Sequence, residues 1–339
     1  MISLANINKM IKSFIKKRPI YIWYRTRPQQ YKYLKCKLLD GYYYNITDEN
    51  KDSKKVVCVF DGRIKHGGLA DRLRGIISTY QICKQFGIDF KICFIHPFNL
   101  ENYLIPNKID WKIKYENLNR NLCNTKVCYL NTITDSKYEI KKQEEWLEKQ
   151  LNSYYNECHV LTNAEFSYKG NYSLLFNELF KLSPRLNNSI SRHKQFLGST
   201  YLSISCRFLD LLGDFNETSG TKKQLRDNEK EELISANLNQ LHKLHDKYPS
   251  QQILVNSDSI TFLNRAKKLD FVYVIEGSVT HIDNIGDNTY ETFEKTFIDF
   301  FMIANATQIY LFKTGSMYNS GYPYAASLIY NKPFYRILF

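Results

Sequence analysis

Residues 59 to 75 read VFDGRIKHGGLADRLRG. The stretch begins inside the β-type run Val56 to Phe60, and a Gly67–Gly68 pair follows in a chain with only 14 glycines among 339 residues, so the pair stands out. Beyond it, Leu69, Leu73, Ile76, Ile77, Tyr80 and Cys83 mark one face of a helix that stops at Gly87. Phe90 to Ile95 is the next strand, which makes a βαβ unit with the glycine turn at its first strand end. Gly67 and Gly68 permit positive φ and close backbone approach, and the helix aims its free N–H groups at whatever fills the turn. His66 stands at the entrance. Arg72 and Arg74 fall off the Leu69–Leu73 face and could reach a phosphate there. The plain alternative is a tight turn with solvated arginines.

The remainder of the chain supports a globular α/β protein. Apolar residues make up 43% and aromatics 15%, enough for buried cores, and the length suits two lobes of about 150 residues each. A net charge of +13 favours anionic partners: nucleic acid, an acidic membrane face or phosphorylated small molecules. The eight cysteines are scattered with no C-x-x-C pair, which argues against zinc and a disulfide framework and for a reducing compartment. In residues 1 to 18, Ile2, Leu4, Ile7, Met10, Ile11, Phe14 and Ile15 recur near helical spacing beside Lys9, Lys12, Lys16, Lys17 and Arg18. Either a surface-seeking amphipathic helix or a terminal helix packed on the body has this pattern.

Strand and helix patterns alternate along most of the sequence, so the expected organisation is a basic segment over 1–50, a first doubly wound lobe over 51–195 and a second over 196–339. A strand is expected near Val127 to Leu130, a charged helix from about Tyr138 to Tyr155, and a helix start at Ser183-Pro184. The second half gives strands Tyr201 to Arg207, Ile253 to Asn256, Phe271 to Ile275, Ile309 to Phe312 and Phe334 to Leu338, separated by helices.

In doubly wound sheets ligands bind beyond the carboxyl ends of strands, so the residues after each strand are the candidates. Arg207 ends one strand, with Asp210 three residues on; the arginine could fork onto phosphate oxygens, or the two could merely close a loop. Asn256, Ser257 and Asp258 bridge a strand and a helix, where capping alone accounts for the serine or the aspartate. Thr314, Gly315 and Ser316, then Ser320-Gly321 before a helix, have the makings of a diphosphate cradle without Walker A spacing. The long polar loop 211–224 is the other segment of interest.

Taken in order, these segments resemble the fucosyltransferase superfamily: bacterial α-1,2- and nodulation fucosyltransferases, core α-1,6 enzymes and protein O-fucosyltransferases. HGGLADRLRG is similar to that group's glycine-rich element, with Asp71 where asparagine is usual. SCRFLD, Ser205 to Asp210, is similar to its H-x-R-x-x-D motif, with Ser205 in place of the histidine. NSD, Asn256 to Asp258, and TGSMYNSGYPYAA resemble its two later elements.

The resemblance implies a GT-B-like arrangement, two Rossmann-like doubly wound domains facing a cleft, with GDP-fucose on the second lobe, an acceptor on the first, inversion at the anomeric carbon and no metal cofactor. The leaving diphosphate would then be met by Arg207, backbone N–H groups and the Thr314–Ser316 turn. Gly67, Gly68, Arg72, Asp258, Ser320 and His281, the last against the guanosine, are the further nucleotide-sugar contacts. Asp71, His66 and Asp210 are the candidate general bases, while Asp299 pairs more simply with Lys295 one helical turn earlier. A saccharide or lipid-linked saccharide acceptor at the cytoplasmic face of an inner membrane, for surface polysaccharide or lipopolysaccharide, fits a basic N-terminus over residues 1–30. Three alternatives stay open: a glycosyltransferase using another nucleotide sugar, a catalytically silent sugar-nucleotide binder, and a nucleic-acid-binding protein, for which no recognisable motif is present.

Overall fold

The computed structural model describes residues 34–46, 54–131, 137–166, 171–214, 224–277, 282 and 289–339. The basic segment 1–30, His281 and the centre of the 211–224 loop lie outside the described residues.

The Val56–Phe60 run forms β1 (Lys55–Phe60), and the apolar stripe after the glycine pair forms α1 (Leu69–Phe86), which leads to β2 (Asp89–Phe94). There follow β3 (Leu104–Pro106), β4 (Thr125–Leu130), α2 (Lys137–Leu151), β5 (Glu157–Thr162), α3 (Tyr172–Leu179) and β6 (Phe180–Leu182). The first sheet runs β2-β1-β5-β4 with every pair parallel, and β3 pairs with β6 as a small antiparallel ribbon. Val56 to Phe60 are fully buried, as a parallel strand covered on both faces requires.

The next helix, α4 (Pro184–Leu197), starts as its sequence indicates: the Ser183 hydroxyl accepts the Leu186 N–H, and Pro184 occupies the first turn. Beyond it come β7 (Tyr201–Cys206), α5 (Asp227–Lys247), β8 (Gln252–Ser257), α6 (Ile260–Ala266), β9 (Val272–Tyr273), α7 (Tyr290–Asn305), β10 (Gln308–Lys313), α8 (Tyr322–Ile329) and β11 (Phe334–Leu338). Their sheet is wholly parallel in the order β11-β10-β7-β8-β9. Counted within that half of the chain, this is the doubly wound order 5-4-1-2-3.

Three strands are absent from the sequence expectation: the short ribbon pair β3 and β6, and β5 of the first parallel sheet. β5 is buried throughout yet carries Glu157 and His159, which obscure its apolar character. Both are satisfied by residues distant in sequence. Glu157 accepts from Lys55 at 2.8 Å and contacts His159 Nε2 at 2.6 Å, and the Tyr42 hydroxyl bonds the other imidazole nitrogen. Burial opposes the charge on Glu157, but His159 and Lys55 outweigh it and hold the carboxyl below its ordinary range.

The two halves meet through an aromatic seam. Phe98 packs on Phe293 and Phe297, with centroids 4.7 and 5.4 Å away, and Tyr103 stacks on Phe297 at 4.0 Å and on Tyr290 at 4.7 Å. The Tyr103 hydroxyl donates to the Tyr290 carbonyl, and Ser173 does the same to Ile329. Phe297 is fully buried in this seam. Phe297→Ala is expected to destabilise the protein by about 3–5 kcal/mol, the usual cost of emptying a large aromatic site, measured by chemical denaturation.

Candidate active site

In a doubly wound sheet the crevice opens where strand order reverses, which in the second sheet is between β7 and β10. Arg207 leaves the end of β7, and the chain after β10 runs to the start of α8, so both arrive at that crevice. The first sheet offers its own reversal at β1, flanked by β2 and β5, where the glycine turn and residues 163–166 emerge. The two crevices face one another across a cavity of about 270 Å³. Its lining from the first half includes Gly68, Asp71, Arg74 and Glu165; from the second it includes Ser205, Arg207, Asn256, Asp258, Lys295, Asp299, Ser320 and Gly321.

Asp258 organises the second wall. One carboxylate oxygen accepts the Phe208 N–H at 2.8 Å, the other accepts the Leu209 N–H at 2.9 Å, and Arg207 Nε lies 3.6 Å from it. Leu209 is forced to φ +53°, a left-handed conformation that a leucine adopts only when its surroundings over-determine it. The Asp258 brackets supply that determination. Burial pushes its carboxyl above the ordinary range, opposed by Arg207 and by the two backbone donors. The Tyr318 N–H donates to the Arg207 carbonyl at 2.9 Å, which ties the segment after β10 to the end of β7. Arg207 keeps 23% of its side chain exposed, and it lines the cavity.

Beside the first wall Gly67 takes φ +81°, which favours glycine, and a Cβ there would come within 2.6 Å of Asp71 Oδ2 and displace that carboxylate. Gly68 is in ordinary extended conformation. Its N–H donates to Asp71 Oδ2 at 3.0 Å, while Asp71 Oδ1 accepts from Arg74 at 2.7 Å. Arg74 also donates to the Asn163 carbonyl and lies 3.6 Å from Glu165. Gly75 permits α1 to lie directly on the end of β5, because a Cβ would collide with the Thr162 carbonyl oxygen. The last glycine of the opening stretch is therefore a packing residue.

Several sequence-based assignments need correction. Arg72 is buried, not free to reach a phosphate: it donates to the Gly67 and His96 carbonyls at 3.1 and 3.2 Å and sits over the Phe60 and Phe94 rings. Arg74 takes the cleft position instead. His66 is 2% exposed against Phe60, does not line the cavity, and is driven by burial and by Arg72 from its ordinary 6.5 to about 3. A base so weak and so enclosed cannot deprotonate an acceptor. Asp210 lies on the short turn beyond Arg207 and does not line the cavity, nor do Gly67, Thr314, Gly315 and Ser316. Of the cradle read after β10, Ser320 and Gly321 reach the cavity, and the Ser320 hydroxyl accepts the Tyr322 N–H at 3.3 Å.

Other cleft residues carry no motif in the sequence. Glu165 stands in a stretch with no motif. Lys295 and Asp299 do form the expected ion pair, at 2.8 Å, but that pair is a nearly buried part of the cavity wall rather than a surface decoration. The signal was present in the sequence: an oppositely charged i, i+4 pair on an otherwise phenylalanine-rich helix. Among the described residues no group of three or more His, Cys, Asp or Glu side chains is arranged to hold a metal.

Two parallel doubly wound sheets facing a shared cleft define the GT-B class of fold. No protein-family model matches the chain, and no curated protein matches it in sequence. Solved structures do match. The fucosyltransferase NodZ from Bradyrhizobium superposes with a TM-score of 0.52 at 13% identity over 82% of this chain and 94% of that one. NodZ α-1,6-fucosyltransferase co-crystallised with GDP gives 0.52 at 14% identity, over 82% and 93%. A mutant of Arabidopsis thaliana FUT1 in complex with GDP gives 0.52 at 12% identity, over 93% of this chain and 75% of that chain. The chain is similar in fold to these solved fucosyltransferases.

The buried His66 yields a pH dependence whose sign is fixed. A folded value near 3 against an unfolded 6.5 means that the unfolded chain takes up the proton first, so His66 lowers stability progressively as pH falls from 6.5 towards 3. Its imidazole is expected to stay neutral across that window in ¹⁵N NMR; titration near 6.5 would place it in solvent.

Proposed function

We propose that the protein is an inverting, metal-independent glycosyltransferase that moves fucose from GDP-fucose to a saccharide acceptor. The observation that carries this reading is Arg207, held by the Asp258 bracket at the reversal point of a doubly wound sheet and exposed into a cleft beside the start of α8. GDP in the solved relatives NodZ and FUT1 supports a GDP-sugar donor for the shared fold.

In the proposed reaction an acceptor oxygen bonds the anomeric carbon as the bond from that carbon to the diphosphate oxygen breaks. The leaving electron pair ends on GDP. Arg207 and the Gly321 N–H meet that charge, an electrostatic contribution of about 3–4 kcal/mol for one well-placed donor. Of the three candidate bases, Asp71 is the one that lines the cavity, from the wall opposite Arg207, and we assign it the acceptor's proton. Donation from Gly68 and Arg74 keeps its carboxylate oriented.

The acceptor we propose is a lipid-linked saccharide on the cytoplasmic face of the inner membrane, in surface polysaccharide or lipopolysaccharide synthesis. The lysine-rich, amphipathic pattern of residues 1–18 supports peripheral attachment there. Another nucleotide sugar is the second reading, because no cavity residue is specific for the fucose methyl.

Arg207→Ala is expected to reduce kcat/KM for transfer from GDP-fucose by about 10²–10³ while leaving the circular dichroism spectrum intact. Preference for UDP-sugars over GDP-fucose in a ligand-binding panel would overturn the donor assignment. Deletion of residues 1–30 is expected to release the protein from anionic vesicles in a sedimentation assay, and unchanged partitioning would remove the membrane proposal.

A further inference from the structure

The cleft contains a buried hydroxyl with no hydrogen-bond partner. Ser205, the penultimate residue of β7, is 5% exposed and lines the cavity, yet its Oγ bonds nothing among the described residues. Its cross-strand neighbours carry no charge, and Leu311 faces it from β10. Asn256 stands directly opposite it in the β7–β8 register, and Asp299, neutralised by Lys295, interacts with Asn256. A desolvated hydroxyl left without a partner is unfavourable, and native proteins keep one where something else completes it.

We propose that Ser205 is a specificity-determining contact whose hydroxyl is satisfied by the uncharged, hydroxyl- or amide-bearing part of the nucleotide sugar. The inference rests on the donor assignment made above. Electrostatics favour an uncharged partner. On that assignment the diphosphate would be served by Arg207 and the start of α8, whereas Ser205 is faced by Leu311 on one side and by a carboxamide and an internally cancelled ion pair on the other. Such a surface offers donors and acceptors without the net positive charge that would favour a phosphate there. The shared chemistry belongs to two portions of the ligand, the nucleoside and the sugar, and the choice of probes separates them.

The test is Ser205→Ala, with GDP, GDP-fucose and inorganic pyrophosphate as probes in calorimetric titrations at low and high salt. The expected result is affinity weaker by about 3- to 10-fold, the worth of one neutral hydrogen bond, with the same ratio at both salt concentrations. Equal loss for GDP and GDP-fucose assigns the contact to the nucleoside; loss for GDP-fucose alone assigns it to the sugar. Both support the proposal. Unchanged affinity for both, or a comparable loss for pyrophosphate, overturns it. Without ligand the variant is expected to melt no lower than the parent, because it removes an unpartnered polar group. A drop of several degrees would show that the hydroxyl is bonded in the free protein and would overturn the proposal independently. If the parent protein binds neither GDP nor GDP-fucose, the donor assignment fails first and this contact falls with it.

Discussion

The aromatic seam between the two sheets is the constraint on which the cleft depends. Lobes joined by small polar interfaces move against one another by default, and a cavity between them exists only part of the time. Here Phe98 and Tyr103 pack against Phe293 and Phe297 in one continuous core with the strands and helices of both halves. Separating the lobes would expose several fully buried aromatic rings at once. The carboxyl ends of β1 and β7 therefore stay opposed, and Asp71 and Arg207 remain on facing walls of one cavity. The same helix, α7, supplies the apolar ring surface for the seam and the Lys295–Asp299 pair for the cavity, so packing and site geometry are coupled through one element.

That coupling explains why polar groups survive in so apolar a place. A buried ion pair rarely adds net stability, because desolvation offsets the mutual attraction. Lys295 and Asp299 are almost fully enclosed, and burial pushes the Asp299 carboxyl above its ordinary range, opposed chiefly by Lys295. The left-handed Leu209 is a second local cost, stabilised by two backbone hydrogen bonds to Asp258. Both features sit at the sheet's reversal point, where strain and desolvated charge accompany ligand sites.

How much of this was legible in the sequence depends on how local each signal is. The second sheet could be read strand by strand because its runs are short, apolar and separated by helical patterns. The glycine turn was legible through backbone chemistry, since Gly67 answers a positive φ. The role of Gly75 was not, since its constraint is the Thr162 carbonyl on a strand far along the chain. β5 escaped for the same reason: Glu157 and His159 look like loop residues until Lys55 and Tyr42 close on them. Helical spacing placed Arg72 and Arg74 together off the main apolar face, and only tertiary packing separates the buried brace from the cleft residue. Asp258, in turn, could be read as a helix cap. In the structure Ser259 caps α6, and Asp258 is freed to bracket the turn after β7.

The net charge of +13 has no counterpart in the cleft. Among the cavity-lining residues the cations are Arg74, Arg207 and Lys295, and each stands within salt-bridge distance of a carboxylate: Asp71 and Glu165, Asp258, and Asp299 respectively. Three positive groups face four negative ones, so an anion is not drawn in by excess local charge. In the proposed function, recognition then rests on directed donors: the Arg207 guanidinium beside Asp258, the Gly321 N–H before α8, and the buried Ser205 hydroxyl. Directed donors discriminate by geometry, whereas an unpaired basic pocket would hold any polyanion. The surplus of lysines and arginines thus belongs to the surface outside the cleft and to the segment before residue 34, where five of them lie within residues 9–18 beside an apolar stripe. In the proposed function, attraction to an anionic surface and selectivity in the cleft would therefore be separate properties carried by separate residues.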